Sequence, residues 1–255
     1  MKATAIWLAL ALAAPAARAA APPAVVVFAA SSLTNVLQAA AADFERATGT
    51  RVLVNVGASN SQARQILDGA PADVFCSADE SQMDVVERAG RVAAGSRVTL
   101  ASNRLVVMVP ADRARTLHAV DELLAPTFRR IAVGDPAAVP VGVYTREYLE
   151  RLGLWAAFQP RIVPTVNVRA ALAAVDSGNA DAAFVYATDA PLAAHASIAF
   201  TVPAAQAPPI RYPGAVITGG ANGDGGWRFL RFLQSDAGRA LFTRAGFIVP
   251  ERSGP

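Results

Sequence analysis

The stretch VVVFAASSLTNVLQAAAADF, Val25 to Phe44, joins a run of β-branched residues to an amphipathic pattern through two serines. Val25 to Phe28 reads as a buried strand. Leu33, Val36, Leu37, Ala40, Ala41 and Phe44 fall at the i, i+3, i+4, i+7, i+8 and i+11 positions of one helical face. Ser31 and Ser32 therefore stand where a strand hands over to a helix. Serine is a favoured helix cap because its oxygen accepts a bond from an otherwise unpaired first-turn amide, which accounts for one of the two. The other reading is that these amides, with a serine hydroxyl beside them, face outward and hold an anion. One junction does not separate the two readings.

The arrangement recurs in RVLVNVGASNSQARQIL, residues 51 to 67: a strand, then Gly57, Ser59 and Ser61, then a helix with Ala63, Ile66 and Leu67 on one side. Two donor-bearing helix ends aimed at one sheet edge favour the anion reading. Two more junctions follow. IAVGDPAAVPVGVYTREYL predicts a strand, a loop and a helix from about Val141, and RIVPTVNVRAALAAV predicts a strand, a loop and a helix capped by Asn167. Both put an amide, of Val141 and of Val168, in a first helical turn, where it has no intrahelical partner. In AAFVYATDA a buried strand ends on Tyr186, whose hydroxyl is either satisfied by backbone within the core or free to donate.

Strand-like runs at Val25 to Phe28, Val52 to Val56, Val74 to Cys76, Leu105 to Val109, Ile131 to Val133, Arg161 to Val163 and Ala182 to Val185 alternate with helical patterns. This alternation predicts an α/β fold with largely parallel sheets and ligands at the carboxyl ends of the strands. The length exceeds a typical single core and predicts two lobes. SNRLVVMVP carries the chain into the second lobe, and the Pro-rich stretch from Thr201 to Ile217 returns it. The expected organisation is lobe I over 24–103, lobe II over 104–204 and a return to lobe I over 205–255.

Residues 1–19 resemble a secretory signal peptide, with Lys2 at the start, an apolar core from Ala5 to Ala14 and small residues flanking Arg18. That core is too short to span a bilayer, and no later segment offers the roughly 20 apolar residues a membrane helix needs. An exported, soluble chain is expected. Without Lys2 and Arg18 the basic count falls from 23 to 21 against 20 acids, and the net charge from +3 to +1. The remaining cations are all arginines spread along the sequence, which argues against nucleic acid or an anionic membrane as partner.

The composition leaves little room for enzyme chemistry. Cys76 is the only cysteine and reads as a small buried side chain, while His118 and His195 have no second ligand at i+3 or i+4. GASNS approaches the nucleophile elbow of serine hydrolases, but its last position is Ser61 rather than Gly. GGANGDGG, Gly219 to Gly226, lacks the Lys and Ser/Thr of a P-loop and reads as a flexible turn before a helix from Trp227 to Leu233. Trp155 and Trp227 belong to apolar helical patterns rather than to a sugar platform.

FAASSLTNVL, GASNSQARQI, GAPADVFCSADESQMD, AVGDPAAVPVGVY, NVRAALAAV and FVYATDA occur in order and at the spacing of one family. By these six motifs the chain resembles the periplasmic molybdate-binding proteins of ABC transporters over essentially its whole mature length. The resemblance implies a type II periplasmic-binding-protein-like fold with the ligand cleft between two lobes. It implies that Ser32 and Ser59 donate hydroxyl and amide to the oxyanion, Val141 and Val168 donate amides, and Tyr186 donates its phenol. Ser31 matches a neighbour that does not touch the ligand, and Arg169 is expected to point away. Val141 stands where relatives commonly carry Ala, a change an amide donor tolerates; Asn60 replaces a small polar residue. The implied function is capture of molybdate, and of tungstate, for a membrane permease with its ATPase. No catalysis, cofactor or direct protein–metal bond is implied, and the chain is expected to be a periplasmic monomer. Sulfate is the competing ligand within this class.

Overall fold

The structure is a computed structural model that describes residues 23–251. The expected signal peptide, residues 1–19, lies outside the described residues.

Among the described residues ten strands form two five-stranded sheets. In chain order they are β1 (Val25–Ala30), β2 (Val52–Gly57), β3 (Val74–Cys76), β4 (Val98–Ser102), β5 (Leu105–Pro110), β6 (Ile131–Gly134), β7 (Ile162–Thr165), β8 (Ala182–Tyr186), β9 (Ala196–Thr201) and β10 (Arg211–Val216). The first sheet has the order β2-β1-β3-β10-β4 and the second β7-β6-β8-β5-β9. Among the described residues eight α-helices clothe them: α1 (Thr34–Thr48), α2 (Ser59–Leu67), α3 (Glu80–Arg88), α4 (Pro140–Arg151), α5 (Trp155–Phe158), α6 (Val168–Asp176), α7 (Gly223–Gln234) and α8 (Asp236–Arg244). This is the two-lobed α/β architecture expected.

The opening stretch behaves as its pattern dictates. β1 pairs in parallel with β2, Val25 opposite Val52, and with β3 on its other side. Flanked on both edges, it is buried almost throughout, which is why its sequence is a continuous apolar run. All six residues of the predicted α1 face are buried, Leu33 among them. Each large side chain there contributes roughly 1.5–3 kcal/mol by leaving water. The helix stops at Gly49, whose φ of 69° is the left-handed conformation that glycine adopts without steric cost. Leu37→Ala, at a fully buried position, costs about 2–5 kcal/mol by opening a cavity.

The sheets are mixed rather than largely parallel. β10 runs antiparallel to β3 and β4, and β5 antiparallel to β8 and β9. The reason lies in the crossings. The chain passes from the first sheet to the second through only Asn103 and Arg104, and returns between Thr201 and Arg211, so the entering strands are not turned around by a helix in their own sheet. β4, β9 and β10 were not legible as strands; β10 carries both Pro213 and Gly214, which argue against a central strand.

The glycine-rich stretch is also different from its reading. α7 begins inside it, at Gly223, with Asn222 Oδ1 accepting from the Gly225 amide at 2.9 Å. Asp73, fully buried, ties the start of α7 to β1 by accepting from the amides of Asn222 (2.7 Å) and Val26 (2.8 Å). Gly220 lets the chain approach closely there, since a Cβ would sit 2.6 Å from the Ala72 carbonyl oxygen and closer still to Asp73 Oδ1.

Candidate functional site

The parallel strands β1 and β2 of the first sheet, and β6, β7 and β8 of the second, all release the chain at their carboxyl ends toward the boundary between the lobes. There Ser32, Ser59, Val141, Val168 and Tyr186 meet around one cavity of about 10 Å³. All five sequence-predicted residues line it, with Ser31 and Ala78 beside them, and no lining residue carries a charge. The volume falls far below the roughly 300–1,000 Å³ of sites for organic ligands and leaves room only for a species of a few atoms.

Neither serine is a cap. Ala30 and Leu33 occupy the cap positions of the short 3₁₀ turn Ser31–Leu33 and of α1, and Ala58 that of α2; none of these helices has a side-chain cap. The Ser32 hydroxyl is 3 % exposed and has no hydrogen-bond partner; it lies beside the Tyr212 phenol without reaching bonding geometry. The Ser59 hydroxyl accepts from the Ala78 amide at 2.9 Å, which fixes the oxygen and leaves its proton free to donate. Capping is thus overturned as the reason for these serines. The first-turn amides remain uncapped as well.

In the second lobe the amides are presented by two different devices. α4 starts with Pro140, which has no N–H to satisfy and a φ already set for a helix, so that Val141 supplies the next amide. The helix end is drawn tightly onto β6, because a Cβ on Gly142 would overlap the Gly134 carbonyl. α6 is capped by Asn167, as expected, whose Oδ1 accepts from Ala170 at 2.9 Å; this satisfies the third amide of the helix and leaves that of Val168, the first. Tyr186 ends β8 with its side chain 1 % exposed and its hydroxyl unpartnered. Burial raises its pKa well above the ordinary phenol value, and the neighbouring phenols of Tyr212 and Tyr144 push the same way, so it stays a proton donor.

An unpaired buried hydroxyl costs roughly 1–3 kcal/mol. Two of them facing one uncharged cavity, beside the positive ends of four helices, make a site complementary to an anion that only accepts hydrogen bonds.

Residues that sequence reasoning missed support this set from behind. Tyr144, on α4, donates to the Ala78 carbonyl at 3.3 Å. Asp189 is fully buried and accepts from the Tyr186 amide at 3.2 Å, fixing the turn that follows β8. Its carboxyl is pushed up to about 6 by burial, against the opposing pull of Arg169. The signal for Asp189 was present in YATD, an acid three residues after the tyrosine, where it can bond back to the chain. Arg169 points away from the cavity, as expected, and pairs with Asp189 at 2.7 Å. Asn60 does not line the cavity, although its buried Oδ1 is unpartnered.

Elsewhere the residues held in doubt are inert. Cys76 is buried with its thiol pushed up to about 12, and both histidines are exposed. Among the described residues no three His, Cys, Asp or Glu side chains are grouped to hold a metal ion, and no helix is long and apolar enough to cross a membrane. One expectation about charge is corrected. Arg113 with Arg115 and Arg129 with Arg130, two pairs apart in sequence, are gathered by the fold into one groove of lobe II.

Residues 25–248 match the family model of the bacterial extracellular solute-binding proteins. This chain belongs to that family. The solute-binding protein is 35 % identical over 229 residues to the molybdate-binding protein ModA of Escherichia coli K12, covering 88 % of its own chain and 89 % of the relative. It is 33 % identical to ModA of Haemophilus influenzae over the same shares. Its fold matches the solved periplasmic molybdate-binding protein of Azotobacter vinelandii with a TM-score of 0.77 at 28 % identity, over 89 % of this chain and all of that one. These relatives bind solutes and are not enzymes, and the same holds for this member of their family.

Proposed function

We propose that this solute-binding protein captures molybdate, and tungstate equally, as the intact tetrahedral dianion. Ser32 and Ser59 donate hydroxyl and amide from lobe I; Val141 and Val168 donate amides and Tyr186 its phenol from lobe II. The observation that carries the reading is the pair of buried, unpartnered hydroxyls of Ser32 and Tyr186 facing an uncharged cavity between the lobes. Hydrogen bonds to a charged acceptor are roughly twice as strong as neutral ones, so the ligand itself makes the donor set effective. No metal–protein bond forms; molybdenum is held through its oxygens.

The lobes are residues 24–103 with 205–255, and 104–204, and a ligand that needs donors from both favours the closed state. The chain acts in the periplasm as a monomer after loss of residues 1–19, and hands the oxyanion to an ABC permease with its ATPase.

Isothermal titration of the mature protein with molybdate, tungstate, sulfate and phosphate tests the ligand. Molybdate and tungstate should bind alike and most tightly; a site that prefers sulfate, or gives no heat with molybdate, overturns the assignment. Intact mass of the exported chain should begin near Ala20.

A further inference from the structure

The ligand donors account for the cavity but not for what holds its two walls together. Among the described residues, besides the Asn103–Thr188 bond beside the chain crossing and the Tyr186 ring against that of Tyr212, two side chains of the second lobe reach across to the first on the flanks of the cavity. On one flank Arg169, next to Val168 on α6, donates through Nη1 to Asn35 Oδ1 at 3.1 Å and through Nη2 to the Ser32 carbonyl at 3.4 Å. On the other flank Tyr144 donates to the Ala78 carbonyl at 3.3 Å. Each flank includes a contact to a residue of the site: the carbonyl of Ser32, and the carbonyl of Ala78, the residue whose amide holds the Ser59 oxygen.

Neither contact belongs to the chain crossings at 103–104 and 202–210, so both depend on the lobes having met. The Arg169 guanidinium is held for the purpose from its own side, by the Asp189 carboxylate at 2.7 Å. Beyond it lies a second cavity of about 250 Å³ lined by residues of both lobes, among them Arg169, Arg244 and Thr188. Ser32 lines this outer cavity and the inner one alike.

We propose that Arg169, anchored by Asp189, is a positioning residue that latches the lobes shut and sets how long the ligand is held, with Tyr144 as the weaker latch on the opposite flank. A contact made in the closed state and absent in the open one shifts that equilibrium whether or not ligand is present, and apparent affinity falls with the closed fraction. Losing Arg169 also removes part of the wall of the outer cavity that Ser32 lines. The ligand-release part of this inference rests on the molybdate reading; the closure part does not.

The test uses the mature protein and four variants, Arg169→Met, Arg169→Lys, Asn35→Ala and Tyr144→Phe. Two quantities are measured: small-angle scattering without any oxyanion, and release of radiolabelled molybdate into an excess of unlabelled ligand. Arg169→Met should expand the ligand-free protein and speed release about tenfold, with association changed less than about twofold, as expected when one charge-assisted contact is lost. Arg169→Lys should recover part of the effect, since it keeps the charge and loses the fork. Asn35→Ala and Tyr144→Phe should each speed release about threefold. They leave the Arg169–Asp189 pair intact and carry the test if Arg169→Met fails to fold. Scattering and release both unchanged in Arg169→Met and Asn35→Ala would overturn the latch. If wild type binds no molybdate, the molybdate reading fails, and the scattering comparison alone decides the latch.

Discussion

The cavity between the lobes is uncharged and about 10 Å³, whereas the groove at the amino ends of β6 and β8 is about 1040 Å³ and lined by four arginines. By charge alone the groove is the stronger attractor of anions. Part of that charge, however, already faces partners within the groove. Asp181 lies within 3.5 Å of Arg113 and 3.9 Å of Arg130 and accepts from the amides of Arg129 and Arg130, each at 2.9 Å, while Arg115 stacks 4.8 Å from the centre of the Phe128 ring. The inner cavity offers the reverse: neutral donors that the protein leaves unsatisfied. Selective capture follows from unpaired donors in a dry place, because charges in a wet groove are screened and do not distinguish one anion from another.

The largest effect expected from this contrast is discrimination by protonation. Near neutral pH phosphate keeps a proton and presents a donor to a cavity whose amides cannot accept. A buried donor facing a donor costs roughly 1–3 kcal/mol or more, so competition titration should place phosphate tenfold to over a hundredfold below molybdate. Sulfate, fully deprotonated but smaller, should fall between them. Phosphate that displaces molybdate as well as tungstate does would mean that an acceptor lines the cleft and that the contrast is wrongly drawn.

Next come the donors themselves. Ser32→Ala, Ser59→Ala and Tyr186→Phe should each weaken molybdate binding by about 1.5–3 kcal/mol. Thermal melts without ligand sharpen the point, because the three should part company. Removing the unpartnered hydroxyls of Ser32 or Tyr186 relieves a burial cost and should leave the melting temperature unchanged or raised, whereas Ser59→Ala strands the Ala78 amide and should lower it. A fall for all three would show that the first two hydroxyls are bonded within the protein.

A smaller effect is expected of salt. Raising ionic strength tenfold should change the molybdate affinity by less than about threefold, since buried donors are poorly screened. The smallest is expected of the groove: Arg115→Gln and Arg129→Gln should alter oxyanion affinity by less than about twofold, and a large loss would move the functional anion site to lobe II.

The parts of this protein that were legible in its sequence are those decided by local pattern. Val25 to Phe44 carries its own periodicity, and Asn167 caps α6 because a short polar side chain before a helix has one obvious partner. β10 was illegible because Tyr212, Pro213 and Gly214 are acceptable in a strand only where β3 and β4 supply neighbours on both sides. The cap reading of Ser32 and Ser59 failed for a related reason. Capping is the local optimum, and the structure forgoes it at both positions, leaving one hydroxyl unpaired and anchoring the other to Ala78, 19 residues away. Arg169 and Tyr144 lie in recognised motifs, yet their partners Asn35 and Ala78 are assigned only once two lobes face each other, whereas the bond of Asp189 to the Tyr186 amide is local to YATD.

The single thiol, Cys76, is buried on β3 with its pKa pushed up to about 12, so almost none of it is thiolate at neutral pH. The natural chain is therefore silent toward alkylating dyes. A cysteine introduced on the surface of each lobe would be labelled without background, and a fluorophore pair placed in this way would convert the opening and closing of one molecule into a distance signal.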